Sequence, residues 1–171
     1  MKTIARIACA AALTLASVGS TWAAGKNWTP PAHKMYAQTL SEQIMAEHPE
    51  LISVTFHGVP PGLSKVYTMF AGSFPERIGN ADDPDDIDII TKGITITDPR
   101  WGKNDAVRKF VMMMPLRDAQ GAHQGLLVLA YKFPLGDKRT ETDFWNAATK
   151  LRDSIQPSIK SYAELFEPAQ H

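Results

Sequence analysis

The chain has 171 residues, 44% of them hydrophobic, and its 18 basic and 18 acidic side chains leave no formal net charge. That balance excludes a nucleic-acid partner, because no basic stripe is present to neutralise phosphates. The single cysteine, Cys9, lies near the start, so everything after it lacks disulfides, a thiolate nucleophile, cysteine-held zinc or iron–sulfur clusters and haem attached through Cys-x-x-Cys-His.

The first residues read as an address. Lys2 and Arg6 give a positive start, an alanine-rich apolar stretch follows over 7–18, and Thr21-Trp22-Ala23 offers small residues for cleavage. This pattern predicts a signal peptide over 1–24, cut after Ala23 or Ala24. The apolar run is interrupted and falls short of the roughly 20 residues a membrane span needs. Cys9 follows Ile7-Ala8 and lacks the upstream leucine of a lipidated cysteine. The expectation is a soluble periplasmic protein whose mature chain has two more acidic than basic residues, since Lys2 and Arg6 leave with the leader. About 147 residues remain, enough for one domain that buries roughly two thirds of its unfolded surface.

Residues 25–33 form a proline-rich, tryptophan-containing lead-in, expected to be irregular and on the surface. Over 33–48, Met35, Tyr36, Leu40, Ile44 and Met45 recur at helical spacing and Pro49 closes the segment. Residues 51–57 alternate, with Ile52, Val54 and Phe56 opposite Ser53, Thr55 and His57, which predicts a half-buried strand. Val59-Pro60-Pro61-Gly62 is turn chemistry, so a second strand over 65–71 is expected to pair with the first. The acidic run from Asp82 to Asp88 invites a calcium reading, but the alternate carboxylates, central glycine and closing glutamate of a calcium loop are missing. A helix start explains it better, with Asp83 as N-cap, Pro84 in the first turn and Gly93 as the left-handed stop after Lys92. A short strand over 94–97 and a polar loop over 98–105 follow.

Two apolar runs, 107–116 and 124–133, flank a turn that holds Asp118 and Gly121. They predict a long hairpin whose strands lie mid-sheet with both faces covered. A last helix carries Phe144, Ala147, Ala148, Leu151 and Ile155 on one stripe, and Pro157 ends it.

The element order, the segment Leu51-Ile52-Ser53-Val54-Thr55-Phe56-His57, Ile78-Gly79 ahead of the acidic helix, and Pro115-Leu116-Arg117-Asp118 followed by Gly121 and Gly125-Leu126-Leu127 resemble the single Cache, extracytoplasmic PAS-like, sensor domains. The resemblance runs over about 34–155 and makes 34–171 one Cache-like domain. It implies an α+β fold with about five antiparallel strands behind a long N-terminal helix, and a small-molecule pocket between the sheet and the connecting helix. Most such sensors are joined to membrane helices and output domains. Here the chain ends soon after its last helix, so output is expected to pass through a separate, membrane-bound signalling protein.

Chemistry-bearing motifs are sparse. His33, His48, His57, His123 and His171 show no paired spacing of the kind zinc sites use, and neither Gly-x-Ser-x-Gly nor a phosphate-binding glycine loop occurs. No enzyme, cofactor or metal site is therefore expected. Met112 and Met114 share one strand face, to which Met69 could add, but flexible methionines more often fill core gaps than bind copper. A pocket should be lined by polar positions on otherwise buried strands, where an unpaired polar group costs several kcal/mol. These are His57, Tyr67, Arg108 and Tyr131, with Arg77 and Trp101 closing from loops and Lys132 solvating a strand end. Arg108 is assigned the charge that meets a carboxylate-bearing metabolite bound against the acidic helix. The competing readings are an accessory or interaction protein without a ligand and, third, an enzyme or methionine-based metal handler.

Overall fold

The computed structural model describes residues 25–102 and 107–169. The expected leader over 1–24 lies outside the described residues. The elements follow the expected order: α1 (Tyr36–Glu47), β1 (Leu51–Gly58), β2 (Thr68–Gly72), α2 (Pro84–Lys92), β3 (Ile96–Arg100), β4 (Lys109–Arg117), β5 (His123–Lys132) and α3 (Glu141–Ile155). The five strands make one antiparallel sheet in the order β2-β1-β5-β4-β3. The fold is α+β, as the PAS/Cache-like resemblance implies.

The apolar hairpin fixes the centre. β5 is the middle strand and pairs with β4 on one side and β1 on the other. Its turn is closed by Asp118, whose carboxylate accepts the backbone N–H groups of Gln120 and Ala122 at 3.0 and 2.9 Å. Leu127, Leu129 and Tyr131 of β5 share a face with Phe110, Met112 and Met114 of β4 and with Val54 and Phe56 of β1. Leu40 and Ile44 of α1 and Phe144, Ala148 and Leu151 of α3 cover that face and build the main core. Phe110 and Phe144 stack with centroids 4.5 Å apart. Removing a side chain of this size from water contributes about 1.5–3 kcal/mol.

Strand alternation sends the other set of residues, among them Val111, Leu126 and Ala130, to the opposite face. There α2 lies over β1, β4 and β5 with Ile89 wholly buried. The α2 caps match the sequence: Asp83 and Asp86 form a capping box, Pro84 opens the first turn, and Gly93 stops the helix at φ 66°.

Four local expectations change. β1 is buried almost throughout, not half-buried, because α2 and its preceding loop pack against its polar side and leave only a groove over it. β2 starts at Thr68, three residues late. β3 extends to Arg100 and takes in part of the expected loop, since an edge strand tolerates Pro99. Ala147 is exposed and leaves the α3 stripe. Beyond α3 the chain folds back: Met35 bridges Pro168, and Phe166 packs on Phe70 with centroids 4.6 Å apart. The lead-in is tied down too, through a bridge between Lys26 and Asn80 and an edge contact of Trp28 on Phe166. Among the described residues, no helix is long and apolar enough to cross a membrane.

Candidate functional site

The polar side of β1 supplies Ser53, Thr55 and His57, all buried. A groove of about 310 Å³ opens over them, between the sheet and the start of α2. Its floor also takes Val111 and Met113 from β4 and Val128 and Ala130 from β5. Charged groups make the rim: Arg77 from the short turn Pro75–Arg77, Asp83 and Asp86 from the α2 start, Asp98 and Arg100 from β3, and Lys109 from β4. Arg100 Nε donates to Asp98 Oδ2 at 2.7 Å, while the Arg77 guanidinium lies 5.4 Å over the Phe74 ring. A larger surface depression of about 510 Å³ lies near Tyr36, Ser158 and Glu164. It has no buried polar wall, so the groove is the better candidate.

His57 is the best-connected residue of the floor. Its Nε2 is 2.7 Å from Thr55 Oγ1, its Nδ1 is 2.7 Å from Asp82 Oδ1, and Asp86 Oδ2 lies 3.8 Å from the same nitrogen. Asp86 therefore serves twice, as it also accepts the Asp83 N–H at 3.3 Å in the capping box. The Asp82 side chain is wholly removed from solvent, and its Oδ2 has no hydrogen-bond partner. Burial pushes the Asp82 carboxyl above its ordinary range against the opposing pull of His57, and burial raises that of Asp86 likewise. Gly125 makes the placement of His57 possible. Its φ is 145°, and a Cβ there would lie 2.5 Å from the His57 carbonyl oxygen.

Of the six residues expected at a ligand site, the structure brings His57 and Arg77 together in the groove. Arg108, Tyr131 and Trp101 sit on the other face, which corrects their assignment to a pocket beside the acidic helix. The reason is parity: Arg108 shares a face with Phe110, Met112 and Met114, and that face is the one packed under α1 and α3, not α2. Arg108 lies 5.2 Å over the Phe133 ring and donates to the Trp101 carbonyl. Trp101 packs on Phe110 and Phe133 at 5.4 and 4.7 Å. The Tyr131 hydroxyl is buried without a hydrogen-bond partner, and burial, with Glu50 nearby, raises its pKa. Tyr67 precedes β2, where its carbonyl accepts from Asn27 Nδ2 and the Asp82 N–H at 2.9 and 3.1 Å. Lys132 is exposed, and its ammonium meets the Pro49 carbonyl. Met69 pairs with His57 and so cannot join Met112 and Met114 across the sheet.

Sequence reasoning missed Asp86, Asp98, Arg100 and Lys109 as groove residues and Asp82 as the buried partner of His57. The alternation Ser53, Thr55, His57 was a visible signal. The pairing of His57 with Asp82, 25 positions later, has no local signature.

No family model matches the sequence, and no curated protein matches it. The solved structures that match include two at low identity. The type II free methionine-R-sulfoxide reductase from Thermoplasma acidophilum is 14% identical, with 75% of this chain and 88% of that chain covered and a TM-score of 0.47. The E. coli DcuS sensor domain is 13% identical, with 68% and 71% covered and a TM-score of 0.39. One is a reductase and the other a sensor domain, and at these scores neither assigns a ligand or a reaction to this chain.

Proposed function

We propose that this protein is an exported, periplasmic binding module that takes a small carboxylate-bearing metabolite into the groove between β1 and the start of α2, and passes the signal to a separate membrane-bound partner. The observation that carries the reading is the row Ser53, Thr55, His57. Three polar side chains on a buried strand open on a groove of about 310 Å³, the lower end of the ligand-pocket range of roughly 300–1,000 Å³. Rim chemistry narrows the class. Arg77, Arg100 and Lys109 stand against Asp83, Asp86 and Asp98, which suits a ligand with a carboxylate at one end and an ammonium at the other. Arg77 takes the role first given to Arg108, because its planar fork can meet both carboxylate oxygens.

Titration calorimetry of the mature chain against amino acids and small organic acids tests this. A 1:1 binder is expected. A charge-assisted hydrogen bond contributes on the order of 1.5–3 kcal/mol, so Arg77→Ala should weaken that binder roughly 10- to 150-fold. No binder in the panel, or a binder indifferent to Arg77→Ala, would overturn the assignment.

A second reading rests on one observation. Thr55, His57 and Asp82 form a hydroxyl–imidazole–carboxylate chain with two separations of 2.7 Å, the connectivity of an acyl-transfer triad. Thr55 is only 6% exposed, which disfavours attack on a substrate. Turnover of an activated acetate ester that Thr55→Ala abolishes would favour the enzyme.

A further inference from the structure

We infer that His57, Asp82 and Asp86 form a binding site for a zinc-type divalent cation, a class defined by mixed imidazole and carboxylate ligands. The inference goes beyond the metabolite reading and does not depend on it. One ligating atom from each of the three side chains lies within 4.8 Å of the others. Zinc holds imidazole and carboxylate ligands at roughly 2.0–2.2 Å, so a bound ion would sit between these three atoms.

Two further observations separate this cluster from an ordinary acidic helix start. First, Asp82 Oδ2 is buried and has no hydrogen-bond partner, on a side chain with no exposed surface. A buried carboxylate oxygen left unpaired is costly, and a cation offsets that cost directly. Second, among the described residues the ion-pair partner of both Asp82 and Asp86 is His57 alone. With a neutral imidazole, the buried Asp82 carboxylate would stand without a counter-charge in contact.

Thr55 completes the arrangement. A metal on Nδ1 requires the proton on Nε2, and the Thr55 hydroxyl 2.7 Å away can accept it. Without metal the same hydroxyl can donate to Nε2 while Nδ1–H meets Asp82. Thr55 thus holds the ring in place in both states, the role of the outer partner that fixes a histidine tautomer in zinc sites. Three protein ligands leave a coordination position open, and both His57 and Asp86 line the groove.

The test is calorimetric titration of chelator-stripped mature protein with Zn²⁺, alongside Ca²⁺ and Mg²⁺. Zn²⁺ should bind 1:1. His57→Gln and Asp82→Asn should each weaken it by at least about 10-fold, and Thr55→Val by roughly 10- to 100-fold. His48→Gln, on the far side of the sheet, should leave it unchanged. Should the core variants fail to fold, Asp86→Asn and the ring-nitrogen NMR shifts of His57 in the wild type give the same answer, since a bound cation moves Nδ1 selectively. Absence of a 1:1 Zn²⁺ site, a site indifferent to His57 and Asp82 or Asp86, or a Ca²⁺ preference would overturn the inference. A 1:1 Zn²⁺ site with no binder in the metabolite panel would count against the metabolite reading alone.

Discussion

Arg108 and Arg77 show what a single residue's face decides. Both are arginines beside aromatic rings, yet one braces the helical side of the sheet and the other rims the groove. Arg108→Ala should therefore cost stability, about 1 kcal/mol for the lost ring contact, and leave ligand affinity untouched. Thermal melts and calorimetry on that one variant separate the two effects. Asp118 is a carboxylate whose surroundings set a pH dependence. Although burial pushes its carboxyl up, hydrogen bonds from Gln124, Ala122 and Gln120 prevail and hold it below the ordinary range. A depressed carboxyl contributes its stability fully above the unfolded value, and that contribution is lost as pH falls through the folded one. Acid titration of the melting temperature should show a flatter acid limb in Asp118→Asn than in the wild type. Identical limbs would mean that the Asp118 carboxylate does not contribute to acid sensitivity.

Among the elements, those with redundant local signals were legible from sequence. The β4–β5 hairpin has long apolar runs and a turn that Asp118 closes, and α2 has an N-cap, a proline and a glycine stop. Edges were less legible, because whether Asp98 and Arg100 extend a strand depends on the neighbouring β4 and not on their own propensity. The site was half legible. Alternation put Ser53, Thr55 and His57 on one face, and also grouped Arg108 with Met112 and Met114, but no local pattern states which face a distant helix will cover. The fold-back after α3 was invisible for the same reason: Phe166 meets Phe70 and Trp28 only in three dimensions. Phe144 links α3 to both central strands through Phe110 and Tyr131. Phe144→Ala should cost about 3–5 kcal/mol, and chemical denaturation checks this. A cost under about 1 kcal/mol would mean that α3 does not anchor the sheet.

For the whole molecule, the sheet divides labour between its faces. The face under α1 and α3 is apolar and closed, and supplies the main core. The face under α2 is only partly covered, and it keeps the polar row of β1 beside a charged rim. A scaffold of this kind holds the floor of the site on the strands of the sheet, while the α2 start and the Pro75–Arg77 turn contribute part of the rim. Under the proposed function, ligands enter on that second face. Backbone NMR of the labelled protein, titrated with the metabolite that calorimetry selects, reads the binding face residue by residue. Shifts should gather at Thr55, Arg77, Val111, Met113 and Val128 while Phe110, Tyr131 and Phe144 stay still. Shifts centred on Arg108, Tyr131 and Phe144, with the groove residues unmoved, would contradict it.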